Sequence, residues 1–148
     1  MDKSSTNNLM NILKSTKPSE IGEFIEKSQS SESAFSSYMR TLFKEKEIKQ
    51  SEIFNKIGIS YGYGYKIISG EKHTNNRDLI IEICLSASFS LSETQHALKL
   101  YKMSELYPKI PRDAVFIIAF NQKITDLDEV NELLKTHGLE TLYHLNAR

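Results

Sequence analysis

The stretch QSEIFNKIGISYGYGYKIISG, residues 50–70, decides the fold of this chain. Its first half carries three apolar residues at helical intervals: Ile53, Phe54 and Ile57. Gly58 follows them, and glycine is the residue best able to take the positive φ of a tight turn. Ser60 then suits the N-cap of a second helix, which Gly70 ends. The pattern therefore predicts a short helix, a tight turn and another short helix over residues 60–69.

This stretch resembles the helix-turn-helix of the phage-repressor and Xre family of bacterial regulators. Seven landmarks are in register with that family: Gln50, Ile53, Ile57, Gly58, Ile59, Ile67 and Gly70. In the family, two short helices cross at a steep angle so that the second projects its outer face into the major groove. The resemblance implies an all-α, lambda-repressor-like helix-turn-helix core with helical extensions at both ends. It also implies a transcriptional regulator that reads duplex DNA with the helix at residues 60–69.

Two residues depart from the family's pattern. Phe54 stands where the family usually has a small residue, and Gly64 stands where it has a branched aliphatic one. A phenylalanine overpacks a helix crossing, and a glycine within a short helix costs roughly 1 kcal/mol of helix propensity. The two departures compensate if the ring fills the space that the glycine leaves. We therefore expect contact between the Phe54 ring and Gly64.

Helical spacing places four residues on one outward face of the helix at residues 60–69: Tyr61, Gly62, Tyr65 and Lys66. The resemblance implies that this face, with the capping Ser60, meets DNA. A tyrosine can bond a base edge or a phosphate, and a lysine can reach guanine or phosphate oxygens. The face lacks the Arg, Asn and Gln side chains that make bidentate base contacts, so modest specificity or shape readout is expected. The alternative for the two tyrosines is burial under the C-terminal helices or in a subunit interface, and Tyr63 is predicted to be a packing residue.

The flanking residues are candidates for contacts that position the protein on DNA. The resemblance implies phosphate contacts from Gln50 and Ser51, where helix N–H groups and the helix dipole attract an anion, with charge added by Lys49. Beyond the helix at residues 60–69, three members of a polar loop are placed to touch the DNA backbone: Lys72, His73 and Arg77. Each flanking residue has an ordinary alternative as part of a solvated loop.

Residues 34–106 are predicted as the helix-turn-helix DNA-binding domain, after a helical and serine-rich segment over residues 1–33. That N-terminal segment has two apolar sets on helical spacing, Leu9, Ile12 and Leu13, then Ile21, Phe24 and Ile25. The first helix of the domain has its own apolar set, Phe35, Tyr38, Met39, Leu42 and Phe43. A fourth helix follows Arg77, and Ser90 with Glu93 caps a fifth helix whose apolar positions extend to Leu106.

Residues 107–148 are predicted as a C-terminal helical extension. Two prolines precede the apolar run at residues 114–120, which is typical of a helix buried all round. Thr125 or Asp126 can cap a last helix that Gly138 closes. The leucines beyond it are Leu139, Leu142 and Leu145. They either fold back over the helix-turn-helix or pair with another copy, and a homodimer is favoured because such regulators bind two half-sites.

The net charge is zero, since 19 Lys and Arg balance 19 Asp and Glu. Nucleic-acid-binding proteins usually have an excess of basic residues, so a net charge of zero argues against DNA binding. The distribution is uneven: residues 44–78 have seven basic and five acidic side chains, whereas residues 79–148 have seven and nine. Positive charge is thus mildly concentrated in the segment predicted to bind DNA.

Catalytic motifs are missing from the sequence. The four histidines, His73, His96, His137 and His144, lack metalloprotease spacing, and neither a glycine-rich phosphate loop nor a nucleophile elbow occurs. We therefore expect that the protein is not an enzyme and that it binds neither a cofactor nor a metal ion. Cys84 lies in an apolar run and is predicted to be a buried small hydrophobe. Without an apolar run long enough for a membrane span or a secretory signal, the chain is expected in the cytoplasm.

A second function stays open beside DNA binding. A helix-turn-helix scaffold can lose its DNA contacts and serve as a protein-interaction module, such as an adaptor, an antitoxin or a signalling partner. The zero net charge and the arginine-free outer face of the helix at residues 60–69 favour this alternative. Strong salt dependence of DNA binding would favour the regulator instead, because phosphate contacts release counterions.

Overall fold

A computed structural model describes Met10, Lys14 and residues 17–20 and 33–142. Between residues 33 and 142 every regular element is a helix, so the fold is all-α. The seven α-helices are α1 Ala34–Glu45, α2 Gln50–Ile57, α3 Tyr61–Ser69, α4 Arg77–Ser86, α5 Leu91–Leu100, α6 Pro111–Asn121 and α7 Leu127–Thr136. The apolar sets predicted as short helices, Leu9, Ile12 and Leu13, then Ile21, Phe24 and Ile25, lie outside the described residues. The described segment between them in sequence contains a 3₁₀ turn, Pro18–Glu20. No described helix is long and apolar enough to cross a membrane.

Helix ends are set by capping residues, most of which the sequence predicts. The hydroxyl of Ser60 accepts the Tyr63 N–H, and Ser90 and Glu93 form the predicted capping box. Asp126, one of the two predicted candidates, caps α7. The glycines that end α2, α3 and α7 take positive φ, at 77° for Gly58, 85° for Gly70 and 68° for Gly138. Ser33, predicted only as part of a serine-rich linker, caps α1 through Ser36 N–H.

One hydrophobic core runs through all seven helices. Helix α2 packs on α4, and α1 packs on α3 and α5. The segment predicted as a C-terminal extension contributes to the same core through Phe116, Val130 and Leu134, each 0% exposed. The tail also folds onto its own chain, because Leu142 is 3% exposed, while Leu145 lies outside the described residues. Residues 107–142 therefore share the core of the preceding helices.

Two predicted helices need correction. Helix α5 ends at Leu100, not near Leu106, because Lys102 takes a φ of 59° and turns the chain out of the helix. Leu106 is nevertheless buried, in the loop that follows. Helix α6 is not buried all round, since Ile118 is 55% exposed. Its apolar face is wider than the neighbouring helices cover.

The hairpins α4–α5 and α6–α7 repeat the same contacts at a spacing of 35 or 36 residues. In the first hairpin the Gln95 amide bonds both backbone groups of Leu106, at 2.9 and 2.6 Å. In the second, the Asn131 amide bonds both backbone groups of Leu142, at 3.2 and 2.7 Å. An arginine at the start of each hairpin also donates to two carbonyls of its own tail, Arg77 to Ser104 and Glu105, and Arg112 to Glu140 and Thr141.

The two hairpins are joined by reciprocal ion pairs. Arg77 donates to both carboxylate oxygens of Asp113, at 2.9 and 3.0 Å, and Arg112 donates to both of Asp78, at 2.8 Å each. The helices cross-pack in the same way, α4 against α7 and α5 against α6. Each of these contacts that the first hairpin makes with the second is thus matched by an equivalent contact that the second makes with the first. Such reciprocal contacts are typical of two units related by an approximate two-fold axis. The four helices therefore form one pseudo-symmetric unit, and α1–α3 pack on its first half.

Candidate nucleic-acid interface

Helix α3 presents the outward face that the sequence predicts. Tyr61 is 56% exposed and Tyr65 is 47% exposed, and Gly62 and Lys66 are exposed beside them. The opposite side of the helix is buried, with Ile67 at 0%. The alternative of burial under the C-terminal helices is therefore wrong for the two tyrosines in the single chain. Tyr63 is half-buried against the core, as predicted for a packing residue.

The crossing of α2 and α3 depends on Gly64. A Cβ atom built on this glycine would lie 2.5 Å from two carbons of the Phe54 ring, closer than any real Cβ contact. The predicted compensation is confirmed, because the ring occupies the space that a side chain at position 64 would need. Gly58 and the adjoining Ile59 and Ser60 supply the short turn between the helices. Helix α3 is thus held close to α2, with its outer face away from the core.

Three aromatic rings form a ladder from the core to the surface. The edge of Tyr61 meets the buried Phe54 ring at 6.0 Å between centroids, and Tyr65 stacks on Tyr61 at 6.0 Å with the planes 22° apart. Such ring pairs are stabilised beyond their buried area and lose little conformational entropy. The two exposed tyrosines are therefore held in place by each other and by Phe54 before any ligand arrives.

A groove of about 390 Å³ connects this face with the start of α2. It is lined by Arg40, Phe43, Lys44, Ile48, Lys49, Gln50, Ser51, Tyr61 and Tyr65. Nothing in the sequence singles out Arg40 and Lys44 as partners of α3. They are four residues apart on α1 and so share one face, but only the packing of α1 on α3 brings that face to the tyrosines. The groove thus gathers three cationic side chains beside the aromatic ladder.

The start of α2 is open to an anion. Lys49 is its N-cap residue, and no side-chain hydrogen bond caps the helix there. The Glu52 N–H bonds the Lys49 carbonyl at 3.1 Å, so the N–H groups of Gln50 and Ser51 are the candidates to bind an anion, which the helix dipole favours and the Glu52 carboxylate in the same turn opposes. Ser51 is exposed in this first turn, and the buried Oε1 of Gln50 has no hydrogen-bond partner among the described residues. Predicted phosphate-binding residues thus lie together at one end of the groove.

The loop after α3 is exposed but anchored. Lys72 and His73 are both exposed, and the Lys72 ammonium lies 5.9 Å from the centre of the Tyr63 ring. The His73 ring stacks on Tyr101 at 4.5 Å with the planes 7° apart, and the Tyr101 hydroxyl accepts the Thr74 N–H. The loop is therefore held at the end of α5, with Lys72 and His73 beside the C-terminal end of α3.

Arg77 is removed from the predicted interface. Its Nε and both terminal nitrogens are bonded to Asp113 and to the carbonyls of Ser104 and Glu105, as described for the hairpins. Burial raises the pKa of Asp113, but hydrogen bonds from Arg77 and from Tyr107 N–H outweigh it and hold that pKa below its ordinary value. A guanidinium committed to a buried carboxylate stabilises the fold and is not available to a phosphate.

The remaining predicted residues lie at the start of α2, on α3 and in the loop after α3, and the groove brings those of α2 and the two tyrosines of α3 together with Arg40 and Lys44 of α1. This set of residues, the α3 face, consists of Arg40, Lys44, Lys49, Gln50, Ser51, Ser60, Tyr61, Gly62, Tyr65, Lys66, Lys72 and His73. It carries five Lys or Arg side chains, and two exposed carboxylates adjoin it, Glu52 in the first turn of α2 and Glu71 before Lys72. Within the described part of the chain, no group of three or more His, Cys, Asp or Glu side chains is placed to hold a metal ion. The surface suits an extended anion with flat apolar groups.

Comparison with known proteins gives no match: neither a protein-family model, nor a curated protein, nor a solved structure resembles this chain closely enough to count as a relative. Its function is therefore inferred from its own residues and their geometry.

Proposed function

We propose that this protein is a cytoplasmic, duplex DNA-binding transcriptional regulator with a lambda-repressor-like core, in which α3 enters the major groove. One observation carries the proposal. The outer side of α3 is exposed and aromatic, and a cationic groove joins it to the uncapped start of α2. A helix in the major groove needs an outer face free of the protein core and anchors for the flanking phosphates, and the α3 face supplies both.

The residues divide into two roles. Lys49, Ser51 and the first N–H groups of α2 bind one phosphate, and Arg40 and Lys44 bind others along the same strand. Tyr61, Tyr65 and Lys66 face the base edges, where a ring can contact a thymine methyl and the ammonium can reach guanine oxygen. Because no bidentate pair is available, sequence preference comes from these single contacts and from DNA shape.

Binding to the DNA upstream of the protein's own gene, measured at 50 and 200 mM salt, tests the proposal. Four cations that each neutralise a phosphate give an affinity loss of about 10²-fold between these conditions. The Tyr65→Ala, Lys66→Ala variant loses binding at both concentrations. Lys135→Ala removes one exposed charge from α7 and serves as the control that leaves binding unchanged. Binding that ignores salt, or that survives in the double variant, contradicts the proposal.

A protein-interaction module is the second candidate. The observation that favours it is the composition of the α3 face, which has stacked exposed tyrosines and no bidentate base-reading side chain on α3 itself. Exposed tyrosines are also enriched in protein interfaces. Failure to bind both the upstream DNA and pooled genomic fragments, with α3 folded as described, would favour this candidate over the regulator.

A further inference from the structure

Helix α6 leaves open a face that its counterpart α4 has covered. The repeat matches Ile118 with Ile83, which is 0% exposed, whereas Ile118 is 55% exposed. It also matches the half-buried Val115 with Ile80, which is 0% exposed. Helix α4 packs on α2, α5 and α7. The main packing partners of α6 are α7 and α5, the equivalents of the last two. The open face of α6 is therefore the counterpart of the surface that receives α2.

This open face is apolar and free of charge. It comprises Ile110, Ala114, Val115, Ile117 and Ile118, which we call the α6 stripe. Ile110 is 47% exposed, and Tyr107, three residues before it, is 51% exposed. No charged residue occurs between Ala114 and Gln122, and Val115 and Ile117 are half-buried against the core. Near Ile110 the exposed Lys109 borders the stripe, while the Arg112 guanidinium is bonded to Asp78. The adjoining helix differs, because the outer side of α7 carries exposed charges such as Glu129, Glu132 and Lys135. The apolar surface is therefore one helix wide.

We propose that the α6 stripe is the surface through which two copies of this chain associate, α6 packing against α6 of the partner across a two-fold axis. A two-fold interface brings each surface onto itself, so it must be self-complementary. A charged stripe would repel its own copy, whereas an uncharged aliphatic stripe does not. The centre of a protein interface is in fact depleted in charge. A second copy thus fits the stripe by its charge and by its width of one helix.

The proposal replaces the tail leucines as the dimer surface. Leu142 is buried within its own chain and held by Asn131, and Leu139 is half-buried against the same core, while Leu145 lies outside the described residues. The proposal is also independent of DNA binding, because the stripe includes no residue of the α3 face. A monomer that binds DNA would overturn only the proposal of a dimer. A dimer that does not bind DNA would overturn only the proposal that the protein is a DNA-binding regulator.

The mass of the full chain in solution, measured by light scattering over a concentration series, tests the proposal first. The wild type is expected to approach twice the monomer mass of 17.0 kDa. Ile118→Arg, a substitution at an exposed site, is expected to stay monomeric because it places two like charges across the axis. Thr41→Arg on the exposed side of α1 is the control and is expected to dimerise like the wild type. A monomeric wild type, or dimerisation of Ile118→Arg, would overturn the proposal.

Cross-linking through Ile118→Cys identifies the surface directly. Burial raises the pKa of the Cys84 thiol to about 12, and Cys84 is 0% exposed, so the native cysteine stays unreactive. Mild oxidation is expected to give a covalent dimer of Ile118→Cys and none of Thr41→Cys. Two other outcomes each overturn the proposal. If the protein stays monomeric and the thiol at position 118 is labelled rapidly, the α6 stripe is exposed to solvent. If it stays monomeric and that thiol is labelled slowly, the stripe is covered by residues 1–32 of the same chain.

Discussion

At the scale of single residues, the Phe54 ring and Gly64 form a matched pair at the crossing of α2 and α3. The ring lies where any larger residue at position 64 would put its Cβ, so each residue explains the other. Gly62, two residues earlier, is different, because nothing lies within 4 Å of a Cβ built there. Two glycines of one short helix thus serve opposite purposes, close packing at one and an open surface at the other.

Alanine at these two glycines should have opposite effects on stability. Gly64→Ala forces the Phe54 ring or α3 to move and is expected to lower the free energy of unfolding by about 1–3 kcal/mol. Gly62→Ala keeps the surface open and is expected to raise it by up to about 1 kcal/mol through helix propensity. Urea unfolding of both variants measures the difference. Equal changes of the same sign would show that Phe54 does not determine the packing at Gly64.

The pair could be predicted because both residues lie within the short stretch that resembles the helix-turn-helix family, and both depart from the pattern of that family. The role of Arg77 could not, because its partner Asp113 is 36 residues away along the chain. Spacing places Arg77 next to the polar loop and leaves open what its guanidinium meets. Arg40 and Lys44 were missed for the same reason, since their neighbours on α3 come from tertiary packing.

At the scale of elements, the hairpins are expected to depend on the Arg77–Asp113 pair. Asp113 is 2% exposed, so Arg77→Ala leaves a buried carboxylate without its main partner. We expect a loss of about 3 kcal/mol in the free energy of unfolding, at the low end for such pairs because the Arg77 side chain is 27% exposed. Lys135→Ala breaks an exposed pair and should change stability by less than about 0.5 kcal/mol. Similar urea midpoints for the two variants would contradict this account.

The same pair makes stability depend on pH in the acid range. The folded-state pKa of Asp113 is held below its ordinary value, so its carboxylate binds a proton less readily in the folded chain than in the unfolded one. Its contribution is complete above the ordinary pKa of 3.8 and is lost as pH falls through the lower folded value. Comparing urea midpoints at pH 6 and pH 3, we expect a smaller decrease for Asp113→Asn than for the wild type. An equal decrease in both would contradict the pairing.

Helix starts were predicted well because capping is local, a side chain meeting an N–H two or three residues away. Helix ends and burial were predicted less well. The end of α5 depends on Lys102 taking a left-handed backbone conformation, and a lysine in the sequence does not predict that conformation. The apolar run of α6 indicates how much of the helix surface could be buried. How much of it is buried depends on the number of helices that pack on α6.

At the scale of the whole molecule, one core through all seven helices predicts a single cooperative unfolding transition. Helix content from far-UV circular dichroism and tyrosine fluorescence should follow the same urea curve. The reason is that α4 is buried between α2 and the second hairpin. If either group of helices unfolded alone, the other would lose part of the core that α4 completes. Two separated transitions would restore the division at residue 106 that the sequence predicts.

The sequence displays the repeat that organises this core only faintly. The two hairpins share the Arg-Asp pair at their start and seven further identities, which are scattered and fall into register only when one added residue is allowed for: Ile83 and Ile118, Leu91 and Leu127, Glu93 and Glu129, Leu98 and Leu134, Lys99 and Lys135, Leu106 and Leu142, and Tyr107 and Tyr143. An added residue before α7 shifts the spacing from 35 to 36, as the pairs Arg77–Arg112 and Gln95–Asn131 show. The hydrogen bonds of Gln95 and Asn131 reveal the repeat because an amide of either length can bond both backbone groups of a leucine.

The most direct test of DNA binding through the α3 face is a titration of isotope-labelled protein with a DNA duplex, followed by amide NMR shifts at each residue. We expect the largest shifts in α3 and at the start of α2, centred on Tyr61, Tyr65, Lys66 and Ser51. The α6–α7 hairpin should keep its shifts apart from any change in association. Shifts confined to that hairpin, or none at millimolar duplex, would contradict the account.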